Sequence, residues 1–263
     1  MSSEATLDEV ASLLGRARRP LFITGAGISA DSGLPTYRGI GGLYNDRVTE
    51  EGFPIEVALS GNMLTSRPDV TWRYISQIEN NCRHAGPNAA HRLIAAFERE
   101  IPGLWVLTQN IDSLHRKAGS KNLIEIHGTV HRLLCTVCDD EREVPDYEGL
   151  TLPPTCSKCG RPVRPDVVLF GEMLPRQALG QLARVMDEKP DMVVSIGTTS
   201  VFPYIAHPVW WASQNGVAAV EINPGNTEVS EMVSHRLKMG AAQAMEALWD
   251  RLHTQPAGTN ARA

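Results

Sequence analysis

Short, strongly apolar runs alternate along this chain with longer segments whose apolar residues recur at helical spacing. PLFIT (20–24), LWVLTQN (104–110), LIEIHG (123–128), DMVVSIGT (191–198) and VAAVEINP (217–224) read as strands, most of them passing at the end into glycine or other polar turn residues. Thr6–Arg16 (TLDEVASLLGR) reads as an opening helix capped by its threonine. Asp69–Cys82 and Pro87–Glu100 read as two further helices, the second with proline at its start. MGAAQAMEALWDRLH (239–253) closes the chain with a helix, and PAGTNARA (256–263) reads as a disordered tail. Residues 39–70 are rich in turn residues, and residues 131–165 hold four cysteines and many prolines.

Strands alternating with helices imply a parallel sheet covered on both faces. The expected class is α/β: a doubly wound, Rossmann-like parallel sheet with a second, smaller zinc-binding domain. We place residues 1–40, 90–130 and 166–255 in the large domain and 41–89 and 131–165 in the small one. In doubly wound sheets ligands bind beyond the carboxyl ends of the strands. GAGIS, TQNID, IHG, GTT and INP all lie at such ends, which predicts a single shared site.

Composition narrows the choice. The chain has 263 residues, 42% hydrophobic, enough to bury a sizeable core, and a formal net charge of -5. That balance argues against a generic nucleic-acid binder, which would carry a basic face. The N-terminus has no apolar core of a signal peptide, and no apolar run approaches the ~20 residues of a membrane helix. Four of five cysteines form two CxxC pairs, which suits a reducing compartment and a metal better than disulfides, so a cytoplasmic setting is expected.

GAGISA follows the first strand as a phosphate-binding turn would, with Gly25 and Gly27 in place and Ala30 at the third position. The rest departs from a dehydrogenase. Gly33 and Pro35 break the following helix at once, and no acidic residue ends a second strand ~20 residues on. Phosphate binding survives that comparison; hydride transfer weakens.

Cys135, Cys138, Cys156 and Cys159 form C-x2-C-x17-C-x2-C. Four thiolates fill a tetrahedral zinc and leave no position for water, so the metal is structural. His127 stands at a sheet end, where a histidine serves either as a general base near neutral pH or as a structural group. Gln109, Asn110, Ile111 and Asp112 end another strand; Asn and Asp there offer donors and acceptors for a ribose and a carboxamide, or form an ordinary polar turn. Thr36, Tyr37 and Arg38 follow the glycine turn, where the arginine could pair with a phosphate or support the loop. Val167, Val168, Leu169 and Phe170 read as core strand.

Taken in order, GAGISADSGLPTYRG, TQNIDSLHRKAG, IEIHGTV, the two CxxC pairs, RPDVVLFGE and INP resemble the signature blocks of the sirtuins, NAD-dependent protein lysine deacylases. The resemblance runs from about residue 20 to 241. It implies NAD as a consumed co-substrate, held by Gly25, Ala26, Gly27, Ser29, Thr36, Tyr37, Arg38, Gln109, Asn110, Ile111, Asp112, Gly197, Thr198, Asn223, Pro224 and Ala241. It implies His127 as the base that deprotonates a ribose hydroxyl, with Asn110 beside it, and one structural zinc on the four cysteines. Val167, Val168 and Phe170 would meet an acetylated, or otherwise apolar acyl, lysine peptide, by strand pairing and by lining the acyl channel. No membrane and no direct nucleic acid are expected as partners.

Three departures from the family pattern bear on the site. Tyr37 stands where phenylalanine is usual, Leu169 where tryptophan is common, and Pro203 comes one place early after GTT. Sirtuins that remove acidic acyl groups hold the carboxylate with a tyrosine and an arginine three residues apart. The matching positions here are Ile75 and Ile78, which implies an apolar acyl group. The expected products are free lysine, nicotinamide and O-acetyl-ADP-ribose. A mono-ADP-ribosyltransferase using the same NAD site is the alternative. A non-catalytic NAD sensor and an oxidoreductase are weaker rivals, given the intact His127, Asn110 and Asp112 and the missing ribose acid.

Overall fold

The computed structural model of the chain describes residues 3–36 and 48–254. Its elements run α1 (Ser3–Arg16), β1 (Pro20–Thr24), a 3-10 segment (Ala26–Ser32), α2 (Ile55–Ala58), α3 (Gly61–Ser66), α4 (Pro68–His84), α5 (Ala89–Glu100), β2 (Trp105–Thr108), α6 (Leu114–Ala118) and β3 (Leu123–Glu125). They continue with β4 (Gly128–Cys135), β5 (Glu141–Glu143), β6 (Val163–Val167), α7 (Arg176–Asp187), β7 (Met192–Ile196), α8 (Pro203–Gln214), β8 (Ala218–Ile222), β9 (His235–Leu237) and α9 (Ala241–His253).

β1 shows why the main sheet is wrapped on both sides. All five residues of PLFIT are buried, and side chains alternate between faces along a strand. Phe22 therefore packs on one face with Val106, Val194 and Val220, under α1, α5 and α9. Leu21 and Ile23 pack on the other with Leu107, Val193 and Ala219, under α7 and α8. Each such side chain, fully removed from water, contributes roughly 1.5–3 kcal/mol before the cost of ordering it. The six strands are parallel, in the order β3-β2-β1-β7-β8-β9. The order reverses between β1 and β7, and the carboxyl ends of those strands open the switch-point crevice where such sheets take ligands.

A second sheet, β5-β4-β6, is antiparallel. Its core joins Val130, Leu133, Val163 and Val167 to Trp72, Ile75 and Cys82 of α4. β4 leaves the edge of the main sheet directly after His127, and Gly128 makes that exit possible. Its φ is +76°, and a Cβ there would lie 2.0 Å from the Asp166 carbonyl oxygen.

Several local expectations need correction. The first helix begins at Ser3, so Thr6 lies inside it rather than at its N-cap. The cap of α5 is Asn88, whose Oδ1 accepts the Ala90 N–H at 2.9 Å, with Pro87 outside the helix. Within the stretch read as loop, α2 and α3 form two short helices. Only Val167 of 167–170 belongs to a strand; Phe170 instead makes an isolated parallel bridge with Ser60. Among the described residues no helix is long and apolar enough to cross a membrane. The tail expected at 256–263 lies outside the described residues.

Candidate active site and metal centre

The five strand ends are tied to one another by hydrogen bonds between their loops. Gly27 N–H donates to the Gly197 carbonyl at 2.8 Å and Gly25 N–H to that of Ile196 at 3.2 Å. A Cβ on Gly27 would lie 2.7 Å from Gly197 Cα, and one on Gly25 would lie 2.7 Å from Thr198 Cβ. Here the glycines serve first to bring the β1 and β7 loops together. Gln109 Nε2 donates to Thr198 Oγ1 at 2.8 Å, and Asn223 Nδ2 donates to the Thr198 carbonyl at 3.2 Å. The expected single site is thus one connected edge.

At its centre lies a buried polar cluster. Asn110 Nδ2 donates to the Gly25 carbonyl at 3.1 Å and to Ser29 Oγ at 3.2 Å. Ser29 Oγ donates to Asp112 Oδ2 at 2.7 Å, while Asp112 Oδ1 accepts the Leu114 N–H at 2.9 Å. Burial pushes the Asp112 carboxyl above its ordinary value, opposed by those two hydrogen bonds. Such a group is costly to leave unpaired and well suited to holding a polar ligand atom. Ala26, Ser29, Asn110, Ile111 and Asp112 line a small cleft together with Leu34, Pro35 and the α4 side chains Ile78, Asn81 and Cys82. Burial raises the Cys82 thiol to about 12, so it stays a neutral packing group.

His127 stands two residues beyond β3, with Phe202 and Tyr204 against its ring. Its Nδ1 is 3.0 Å from the Gln109 carbonyl oxygen, which can only accept, so Nδ1 carries the proton. Nε2 then offers its lone pair, and takes the Tyr204 hydroxyl at 2.6 Å. Burial lowers the imidazole pKa below its ordinary value, opposed by the Gln109 contact, so the ring is neutral at pH 7. Val168 N–H donates to the His127 carbonyl at 3.0 Å, which brings the 167–170 segment against the histidine. The N–H groups of that segment are already engaged. Leu169 N–H meets Glu172 Oε2 at 3.0 Å, and Phe170 N–H meets the Leu59 carbonyl at 3.0 Å.

Other predicted residues stand further out. Pro224 is exposed and Thr36 is half-buried. Ala241 opens α9, where Ala242 N–H meets Asp31 Oδ2 at 3.3 Å. Tyr37 and Arg38 lie outside the described residues. Ile75 is buried in the small-sheet core, whereas Ile78 faces the cleft. Arg73 and Tyr74 are both taken up by Glu51, the tyrosine hydroxyl donating to Oε2 at 2.7 Å.

The four CxxC sulfurs lie within 4.8 Å of one another, with Cys135–Cys159 at 3.5 Å and Cys138–Cys156 at 3.6 Å. Zinc–sulfur bonds of ≈ 2.3 Å in a tetrahedron require sulfurs roughly 3.8 Å apart, so the set fits one zinc ion. The N–H groups of Val137 and Cys138 point at the Cys135 sulfur, at 3.4 and 3.3 Å, and stabilise the thiolate form that a metal needs.

Residues 25–203 match the model of the Sir2 family. The chain belongs to the Sir2 family. Relatives include the "NAD-dependent protein deacylase 2" of Pseudomonas aeruginosa, 48% identical over 93% of this chain and 96% of its own. The "NAD-dependent protein deacylase" of Aquifex aeolicus is 35% identical over 88% of this chain and 93% of its own. Among solved structures, a Sir2 homologue in complex with NAD aligns with a TM-score of 0.82 at 33% identity, covering 93% of each chain. A Sir2 protein with a deacetylated p53 peptide and an acetyl ADP-ribose aligns with a TM-score of 0.82 at 29% identity, covering 93% of this chain and 97% of its own.

Sequence reasoning missed three Sir2-edge supports. Asn88 Nδ2 donates to the Ile28 carbonyl at 2.7 Å and holds the 3-10 segment in place. Glu221, buried in β8, accepts from Ser230 Oγ at 2.8 Å and Arg236 Nε at 2.7 Å, which braces the loop after Asn223. A glutamate inside the apolar run VAAVEI was a visible signal for that role. Tyr204 gave no local signal.

Proposed function

We propose that this protein is an NAD-dependent protein lysine deacylase, acting on acetyl-lysine and releasing nicotinamide, free lysine and O-acetyl-ADP-ribose. The observation that carries this reading is the protonation pattern of His127: the Gln109 carbonyl holds the proton on Nδ1 and leaves Nε2 basic at the sheet edge. When bound, NAD supplies an electrophilic ribose carbon with nicotinamide as leaving group. The chain's own residues do the rest. Asn110, fixed by Gly25 and Ser29, orients the ribose; Asp112, fixed by Ser29 and Leu114 N–H, holds the carboxamide. Gly25, Ala26, Gly27, Thr36, Tyr37 and Arg38 form the phosphate and nicotinamide side, with Gln109 and Ile111 at the β2 end. Gly197, Thr198, Asn223, Pro224 and Ala241 form the adenosine side. His127 Nε2 takes the proton from a ribose hydroxyl.

Val167, Val168 and Phe170 receive the acyl-lysine peptide in this reading, next to His127. A strand added along that segment meets an edge where Glu172 already holds Leu169 N–H, so Glu172 would have to yield it. Cys135, Cys138, Cys156 and Cys159 hold one structural zinc. We place residues 41–89 and 131–165 in a small domain, 1–40, 90–130 and 166–255 in the large one, and the protein in the cytoplasm. The acyl group is apolar, because Ile78 faces the cleft, Ile75 is core, and Arg73 and Tyr74 are engaged by Glu51.

Acetyl-lysine and succinyl-lysine peptides, each with and without NAD and followed by mass spectrometry, test the reading. NAD-dependent loss of acetyl, faster than loss of succinyl, with O-acetyl-ADP-ribose appearing, is expected. ADP-ribose attached to the peptide or the protein, with acetyl retained, would establish the transferase alternative instead.

A further inference from the structure

Nε2 of His127 cannot accept both the Tyr204 hydroxyl and a substrate hydroxyl at once. An imidazole nitrogen without hydrogen has one lone pair and accepts one good hydrogen bond. At His127 that place is taken by the Tyr204 hydroxyl, 2.6 Å from Nε2. Tyr204 is the second residue of α8, immediately after Pro203, and this places it over the histidine. Its ring stacks on Phe202 at 5.5 Å and 14°, and both rings meet the imidazole edge-on, at interplanar angles of 82° and 86°. A tyrosine has only two side-chain torsions to fix, so the hydroxyl is held there at small entropic cost.

We propose that Tyr204 is a positioning residue that holds the Nε2 place of His127 in the ligand-free protein and yields it to the secondary hydroxyl that His127 deprotonates. The proposal rests on His127 being the base. Until the ribose arrives, Tyr204 keeps the imidazole in the Nδ1–H form and aimed along one direction. Arrival of the ribose exchanges one O–H···N bond for another, and the cost of freeing Tyr204 is charged to ligand binding. Pro203 opens α8, so Tyr204 lies in its first turn, beside the base.

The test uses full-length protein carrying ¹⁵N-labelled histidine, near pH 8 where a histidine is neutral. Long-range ¹H–¹⁵N spectra of the ligand-free protein are expected to show His127 protonated at Nδ1 and hydrogen-bonded at Nε2. In Tyr204→Phe the Nε2 signal is expected to move to that of an unbonded nitrogen. ADP-ribose, measured by calorimetry, is expected to bind Tyr204→Phe roughly three- to tenfold more tightly, the worth of one neutral hydrogen bond. In turnover the change is expected in KM for NAD rather than in kcat. The opposite tautomer in the wild-type protein overturns the proposal without any variant. An unmoved Nε2 signal, or ADP-ribose binding to Tyr204→Phe that is equal or weaker, overturns it as well. The spectra and calorimetry need no turnover, so absence of deacylation would count against the proposed function and leave this test intact. Deacylation with unmoved spectra would remove Tyr204 and leave the function standing.

Discussion

The carboxyl edge of the six-stranded sheet and the cysteine corner of the three-stranded sheet are built in opposite ways. The corner draws its ligands from two local turns, each a CxxC, and the distances among four like atoms define it. The edge draws on five loops that lie far apart in sequence; Gln109 meets Thr198 across 89 residues and Asn110 meets Gly25 across 85. Loss of one corner ligand removes a quarter of a closed coordination shell. Loss of one edge residue leaves the sheet and its two cores in place. The corner should therefore fail as a folding unit, and the edge as chemistry.

Cys156→Ser presses hardest on that contrast. Metal content should fall from one zinc per chain toward none, and thermal stability should drop by more than about 4 kcal/mol, the class of loss expected when a structural metal goes. Retention of full zinc and of the melting temperature would show that the corner is not a metal site. Asn110→Ala should do the reverse, lowering kcat/KM by roughly 10²–10³, as expected for removal of a preorganised donor, with zinc content and melting temperature near wild type. A large fall in stability would place Asn110 in the folding machinery instead.

A smaller effect comes from beneath the edge. His91 is fully buried on α5, neither of its ring nitrogens has a hydrogen-bond partner among the described residues, and its ring meets His115 at 4.8 Å. Burial lowers its pKa to about 4, and that of His115 well below the ordinary value. The unfolded chain takes up these protons near pH 6.5, whereas the folded chain resists until much lower. Stability is therefore complete above about pH 6.5 and is lost as pH falls from there toward 4, with His91 alone costing about 2 kcal/mol at pH 5. Denaturant titrations across that range should show the slope, and His91→Gln should flatten it. An unchanged slope would assign the acid sensitivity elsewhere.

Legibility followed the same contrast. The cysteine spacing is local, so C-x2-C-x17-C-x2-C already specified a closed tetrahedral site. The main strands were legible because PLFIT and MVVSI are buried on both faces and are apolar but for Thr24 and Ser195. β9 was not, being three residues with histidine and arginine at two of them. At the edge, the residues were readable from their places at strand ends, but their partners were not. Nothing local to Gln109 indicates that its carbonyl fixes the His127 tautomer, because that bond exists only once β2 and β3 pair. Gly128 was visible as part of a motif, while its cause, an Asp166 carbonyl oxygen that would lie 2.0 Å from any Cβ there, belongs to β4–β6 packing. Val168–Phe170 read as strand from composition, yet lie beyond the end of β6, where Phe170 alone bridges Ser60.

The central claim is that His127 is a neutral base whose Nε2 carries out proton transfer at this edge. Its most direct test is a comparison of wild type with His127→Ala, following nicotinamide release and peptide deacetylation in the same reaction. The account predicts that deacetylation falls by roughly 10²–10⁴, the usual worth of a general base, while zinc content and folding are retained. Deacetylation within a few-fold of wild type in a folded His127→Ala protein would contradict it.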